Sequence, residues 1–92
     1  MNIVAVKGKG ERDILLYTLS TCVWCKKTKK WLGKKRLAYR FVDVDLEEPE
    51  DKEAVLEEMR RFNPKCSFPT LVIDGGETIV GFKPDKFKEL LL

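Results

Sequence analysis

The 92 residues, 43% of them hydrophobic and 36% charged, suffice for one domain with a modest core and exclude both a disordered chain and a two-domain protein. There is no histidine, which removes Ser-His-Asp and Cys-His nucleophile systems and histidine metal sites, and a formal charge of +3 is too mild to imply nucleic acid. Ile3–Val6 before Lys7 and Lys9 is too short for a signal-peptide core, and no run approaches the roughly 20 apolar residues of a membrane span, so a cytoplasmic protein with no membrane partner is expected.

In chain order, residues 1–12 read as an N-terminal extension or an extra edge strand, with Lys7-Gly8-Lys9-Gly10 mobile, and residues 13–92 as the domain proper. Asp13–Thr18 is a continuous apolar run of strand length, suited to a central strand covered on both faces. Ser20 and Thr21 then offer N-cap hydroxyls, and Val23, Thr28, Trp31 and Leu32 fall close to one helical face, which puts Cys22 at a helix start. After a break at 33–36, Tyr39–Asp45 alternates as a second strand.

Pro49 opens a helix whose Glu48, Glu50 and Asp51 suit its positive end and whose Arg60 and Arg61 suit its negative end. Val55, Met59 and Phe62 recur on its inner face, and Asn63-Pro64 stops it. Thr70–Asp74 and Glu77–Val80 flank Gly75-Gly76 as a hairpin, and Pro84 starts a last helix with Phe87, Leu90 and Leu91 on one face. The order β-α-β-α-β-β-α implies an α/β domain: a right-handed parallel crossover followed by a hairpin, giving a mixed four-stranded sheet flanked by helices.

The chemistry is carried by Cys22-Val23-Trp24-Cys25, after a buried strand and at a helix start. Unpaired N–H groups and the helix dipole there favour negative charge, so Cys22 is expected to ionise and attack, and Cys25, one turn on, to displace the mixed disulfide formed on it. The alternative from another class is a zinc or iron–sulfur module on Cys22, Cys25 and Cys66, which needs an acidic fourth ligand or a second chain. Ser67-Phe68-Pro69-Thr70 leads into a strand, where a proline commonly just begins the strand; a cis Pro69 would expose the Phe68 backbone to an extended substrate.

Trp24 reads as a substrate contact, Trp31 as core and Cys66 as an idle thiol. Between Lys26 and Arg36 stand seven basic residues and no acidic one, a face that favours the thiolate and steers acidic partners better than nucleic acid, for which no aromatic platform or binding module accompanies it.

Taken together, Leu16-Tyr17-Thr18, Cys22-Val23-Trp24-Cys25, Phe68-Pro69-Thr70 and Gly81-Phe82-Lys83-Pro84-Asp85 resemble the glutaredoxin family over residues 13–92. The resemblance implies a thioredoxin-like fold, Cys22 as nucleophile, Cys25 as resolving thiol, and Pro69 as a cis proline beside Phe68. It places Thr21, Val23, Trp24, Phe68, Pro69, Gly81 and Phe82 at the substrate. The Gly-Phe-Lys-Pro-Asp segment resembles most the redoxins that supply ribonucleotide reductase, so protein disulfides, that enzyme's among them, are the expected clients. Leu19 stands where glutathione-using members carry lysine, and Val80-Gly81-Phe82-Lys83 where they carry Gly-Gly-x-Asp. The electron source is therefore open between glutathione, another small thiol and a flavoprotein reductase. No tightly bound cofactor or metal, and a monomer, are expected.

Overall fold

Alternation along the central strand divides the core in two. The computed structural model describes residues 2–92, with β1 at Val4–Val6, β2 at Ile14–Thr18, α1 at Val23–Lys34, β3 at Tyr39–Asp43, α2 at Pro49–Arg60, β4 at Thr70–Ile73, β5 at Glu77–Val80 and α3 at Pro84–Leu91. Ile14 and Leu16 of β2, Leu71 and Ile73 of β4 and Ile79 of β5 gather with Leu32 of α1 and Phe87 of α3. The intervening Tyr17, Val42 and Val72 meet Val55 and Met59 of α2. Since successive side chains on a strand point to opposite faces, α1 and α3 cover one side of the sheet and α2 the other. Met59 and Phe62 fall on this inner face with Val55, as their spacing requires.

The sheet order is β1-β3-β2-β4-β5, with β2 parallel to β3 and every other pair antiparallel. It has five strands rather than the four expected. The extra one is β1, paired in the register Val4↔Phe41, Ala5↔Arg40 and Val6↔Tyr39. It is the edge-strand alternative for residues 1–12; three mostly exposed residues carry too little alternation for the sequence to decide between that and an extension. The following Lys7–Gly10 segment is not free either: Lys9 N–H donates to Arg36 O at 2.7 Å, and Ala38 N–H to Lys9 O at 2.8 Å. Gly8 permits this approach, because a Cβ there would lie 2.6 Å from the Arg36 carbonyl oxygen.

Other boundaries shift for local reasons. β3 ends at Asp43, and Val44–Leu46 forms a 3-10 turn instead of continuing the strand. In the hairpin, positive φ falls on Asp74 and Gly75, one residue earlier than Gly75-Gly76, and Gly76 N–H closes the turn on Ile73 O at 3.0 Å. Asp tolerates that backbone, and here its carboxylate also accepts from Asp13 N–H at 2.8 Å. No helix among the described residues is long and apolar enough to cross a membrane.

Candidate active site

β2 delivers the chain from the core to a tight turn, in which Cys22 N–H donates to Leu19 O at 3.1 Å. The N-cap of α1 is Cys22 itself, not a hydroxyl of Ser20 or Thr21: its backbone is extended, and its Sγ accepts from Cys25 N–H at 3.2 Å. Ser20 is drawn elsewhere, its N–H and hydroxyl both donating to the Asp45 carboxylate. Val23, expected on the inner face, is 62% exposed, because five residues set it about 140° around the helix from Thr28, whereas Cys25, three residues from Thr28, turns inward with Thr28 and Leu32.

The two sulfurs of the motif therefore occupy different surroundings. Both are free thiols; Cys22 is partly exposed and Cys25 is fully buried. Burial pushes the Cys25 thiol up to about 12; the hydrogen bond to Cys22 and the negative charge of an ionised Cys22 add to this, while Lys29 opposes it. Burial above all keeps this thiol protonated.

Facing the dithiol turn, the Phe68–Pro69 bond is cis. Trp24, Phe68, Pro69, Gly81 and Phe82 line one groove of about 250 Å³. Its far wall is fixed by Gly81, which takes a φ of 87° and donates its N–H to Pro69 O at 2.8 Å. Trp24, 54% exposed, stacks on Phe82 with ring centroids 6.0 Å apart, and Phe82 meets Phe87 edge-on at 6.0 Å. Trp31 packs on Phe87 at 5.2 Å, only partly buried. Thr21 and Val23 are exposed beside the cysteines but do not line the groove. Cys66 packs against the α2 cluster, and among the described residues no three cysteines or acids are grouped to hold a metal ion.

Several supporting residues gave no signal in the sequence. Buried Asn63, which reads only as a helix stop, donates from Nδ2 to Ser67 Oγ at 3.0 Å and Thr70 Oγ1 at 2.9 Å; Thr70 Oγ1 in turn donates to Ser67 O at 2.7 Å. These bonds clamp the loop that carries Pro69. Under α1, Thr18 Oγ1 donates to Asp43 Oδ1 at 2.6 Å, and Lys29 Nζ reaches the same oxygen at 3.2 Å while lying 3.9 Å from the Phe41 ring centroid. Partners such as Ser20 and Asp45 are 25 residues apart and meet only because β2 and β3 end side by side.

The glutaredoxin family model matches residues 14–78. The chain is 40% identical over 78 residues to an uncharacterized glutaredoxin-like 8.6 kDa protein of the rubredoxin operon in Clostridium pasteurianum, across 85% of this chain and 96% of that one. The glutaredoxin from Methanosarcina mazei Go1 is similar in structure at a TM-score of 0.88 and 45% identity, over 95% of this chain and 84% of that one. NrdH-redoxin from Escherichia coli, a glutaredoxin-like protein with a thioredoxin-like activity profile, is similar at 0.62 and 28%, over 85% and 93%.

Proposed function

Because the chain belongs to the glutaredoxin family, we propose that it is a dithiol thiol–disulfide oxidoreductase reducing protein disulfides, with Cys22 as nucleophile and Cys25 as resolving thiol. The observation that carries this reading is the seat of Cys22: its sulfur caps α1, accepts the Cys25 N–H, and stands partly open to solvent above a buried partner. Backbone N–H groups and the helix dipole stabilise a thiolate at that point.

The thiolate of Cys22 attacks one sulfur of a client disulfide, forming a mixed disulfide and expelling the other client sulfur as a thiolate that takes a proton. Once Cys22 is bonded to the client it no longer bears charge, and one cause of the raised Cys25 ionisation disappears. Cys25 then attacks Cys22 Sγ, its proton passing to the client sulfur that leaves, which releases the second client thiol and closes the Cys22–Cys25 disulfide. Two electrons have passed to the client. A small-molecule thiol or a flavoprotein reductase returns them, so no bound cofactor is required.

The client lies in the groove of Trp24, Phe68, Pro69, Gly81 and Phe82, pairing its extended backbone with that of Phe68 just before β4 and resting on the Trp24 and Phe82 rings. Thr21 and Val23 meet its edge beside the cysteines. Ribonucleotide reductase is a client of this kind, suggested by Gly81-Phe82-Lys83-Pro84-Asp85. A monomer in the cytoplasm, where such a dithiol is kept reducible, completes the reading.

Insulin-disulfide reduction tests it. Wild-type protein supplied in turn with glutathione, dithiothreitol and a flavoprotein reductase is expected to turn over with at least one donor, and Cys22→Ser with none. Equal inactivity of both proteins with every donor overturns the assignment.

A further inference from the structure

Phe82 borders a second groove. On its other side, Lys27, Lys30, Trp31 and Lys34 enclose a depression of about 180 Å³ that shares Phe82 with the redox groove. The three lysines recur at i, i+3 and i+7 and so form one edge of α1, over a floor made by the two rings. All three are exposed, and neither Lys30 nor Lys34 has an acidic partner among the described residues. By contrast Lys29, on the adjoining face, is spent on Asp43. The helix dipole accounts for Lys34, which lies in the last turn, and Lys27 Nζ sits 4.4 Å from the Trp24 ring centroid, but neither accounts for Lys30.

We propose that this groove docks an acidic stretch of the client polypeptide while the client's disulfide reacts at Cys22, so that clients are chosen by carboxylates remote from the reacting sulfur. The inference rests on the oxidoreductase reading above. A rise of about 1.5 Å per residue places Lys30 and Lys34 about 12 and 18 Å along α1 from Cys22. An extended client advances about 3.3 Å per residue, so the matching carboxylates stand about four to six residues from the reacting cysteine. Trp31 and Phe82 receive the aliphatic stems of those side chains, and the ammonium groups receive their charge.

The test uses peptides whose single cysteine is disulfide-bonded to thionitrobenzoate, with three glutamates, or three glutamines, about four to six residues from it on either side. Wild type is expected to reduce the better glutamate peptide roughly fivefold more efficiently in low salt, with the preference vanishing near 0.5 M salt. Lys30→Gln/Lys34→Gln is expected to lose that preference while reducing the glutamine peptide at the wild-type rate. A preference that survives in the double variant, or none in wild type, overturns the proposal.

Binding of a glutamate peptide with serine for cysteine, followed by Trp31 fluorescence in a Trp24→Phe protein, reads docking without redox chemistry. Salt-sensitive binding that needs Lys30 and Lys34, in a protein that reduces no peptide, would retain the docking site and remove the oxidoreductase reading. Absence of binding, or tighter binding of oligothymidylate of equal charge, would overturn the docking site.

Discussion

The two walls of the redox groove are built differently. Residues 19–25 are tied to the sheet chiefly through Ser20 on Asp45 and otherwise leave Val23 and Trp24 exposed at the rim. Residues 63–70 are laced by bonds converging on Asn63 and Thr70, both buried. Under the proposed function the difference is a division of labour: the wall proposed to react keeps its outer sulfur accessible, and the wall proposed to receive the client's backbone is held to one shape in advance. Changes on the first wall should alter chemistry at nearly constant stability, and changes on the second should alter stability and binding at nearly constant thiol reactivity.

The largest effect is expected within the reactive wall itself. Cys25→Ser should lower steady-state reduction of protein disulfides by roughly 100-fold or more and accumulate the Cys22 mixed disulfide, visible by intact-protein mass spectrometry. Loss of turnover without that adduct would mean Cys25 does something other than resolve it. The same thiol gives a pH signature. Its ionisation is resisted in the folded, reduced protein up to about 12, whereas in the unfolded chain it ionises near 8.5. The folded state therefore holds a proton that the unfolded state has lost, so this contribution to stability is complete below roughly pH 8.5 and declines as pH rises toward the folded value. Urea unfolding of the reduced protein should show a steeper alkaline loss than Cys25→Ala. Tyr17 and Tyr39, also raised by burial, act in both proteins and cancel in the difference.

On the receiving wall, Asn63→Ala leaves the Thr70 hydroxyl without a donor and frees Ser67 Oγ. Stability should fall by about 1–3 kcal/mol, and kcat/KM with a protein disulfide by roughly tenfold through KM. The rate of Cys22 alkylation at neutral pH should stay within about twofold of wild type. A matching fall in alkylation would show that the walls are one mechanical unit, and the comparison would fail.

How legible these walls were follows from the range of the forces involved. The dithiol, the helix it starts, the central strand and the hairpin depend on neighbours in sequence: an apolar run, a breaker, a pair of glycines. They are readable, to within a residue at the hairpin turn. β1 was readable only as one of two alternatives, an extension or an edge strand, because three mostly exposed residues acquire strand geometry by pairing with β3. Cys22 as its own cap was equally hidden, since Ser20 and Thr21 are the better capping residues by type, and only the distant Asp45 removes Ser20 from the competition. The groove was legible where motifs marked it, at Trp24, Phe68, Pro69, Gly81 and Phe82, while Asn63, a plain helix terminator in sequence, becomes a support through its contact with Thr70.

That contact between Ser20 and Asp45 yields the smallest effect and the sharpest probe of the first wall. The Ser20 hydroxyl and N–H both donate to the Asp45 carboxylate and hold it below the usual carboxylate range. A lowered folded value means the stabilisation is present above the unfolded pKa of about 3.9 and is lost as pH falls through the folded one. The carboxylate is close to solvent, so the contribution should be below about 1 kcal/mol. Ser20→Ala should therefore be slightly less stable than wild type at neutral pH, with the gap closing below about pH 4. Its Cys22 alkylation rate should change by more than that of Asn63→Ala, because Ser20 is the tether of the turn that presents the sulfur. A gap that persists in acid would place the tether in the hydrogen bond of the Ser20 hydroxyl, which a protonated Asp45 can still make, and not in the charge of Asp45.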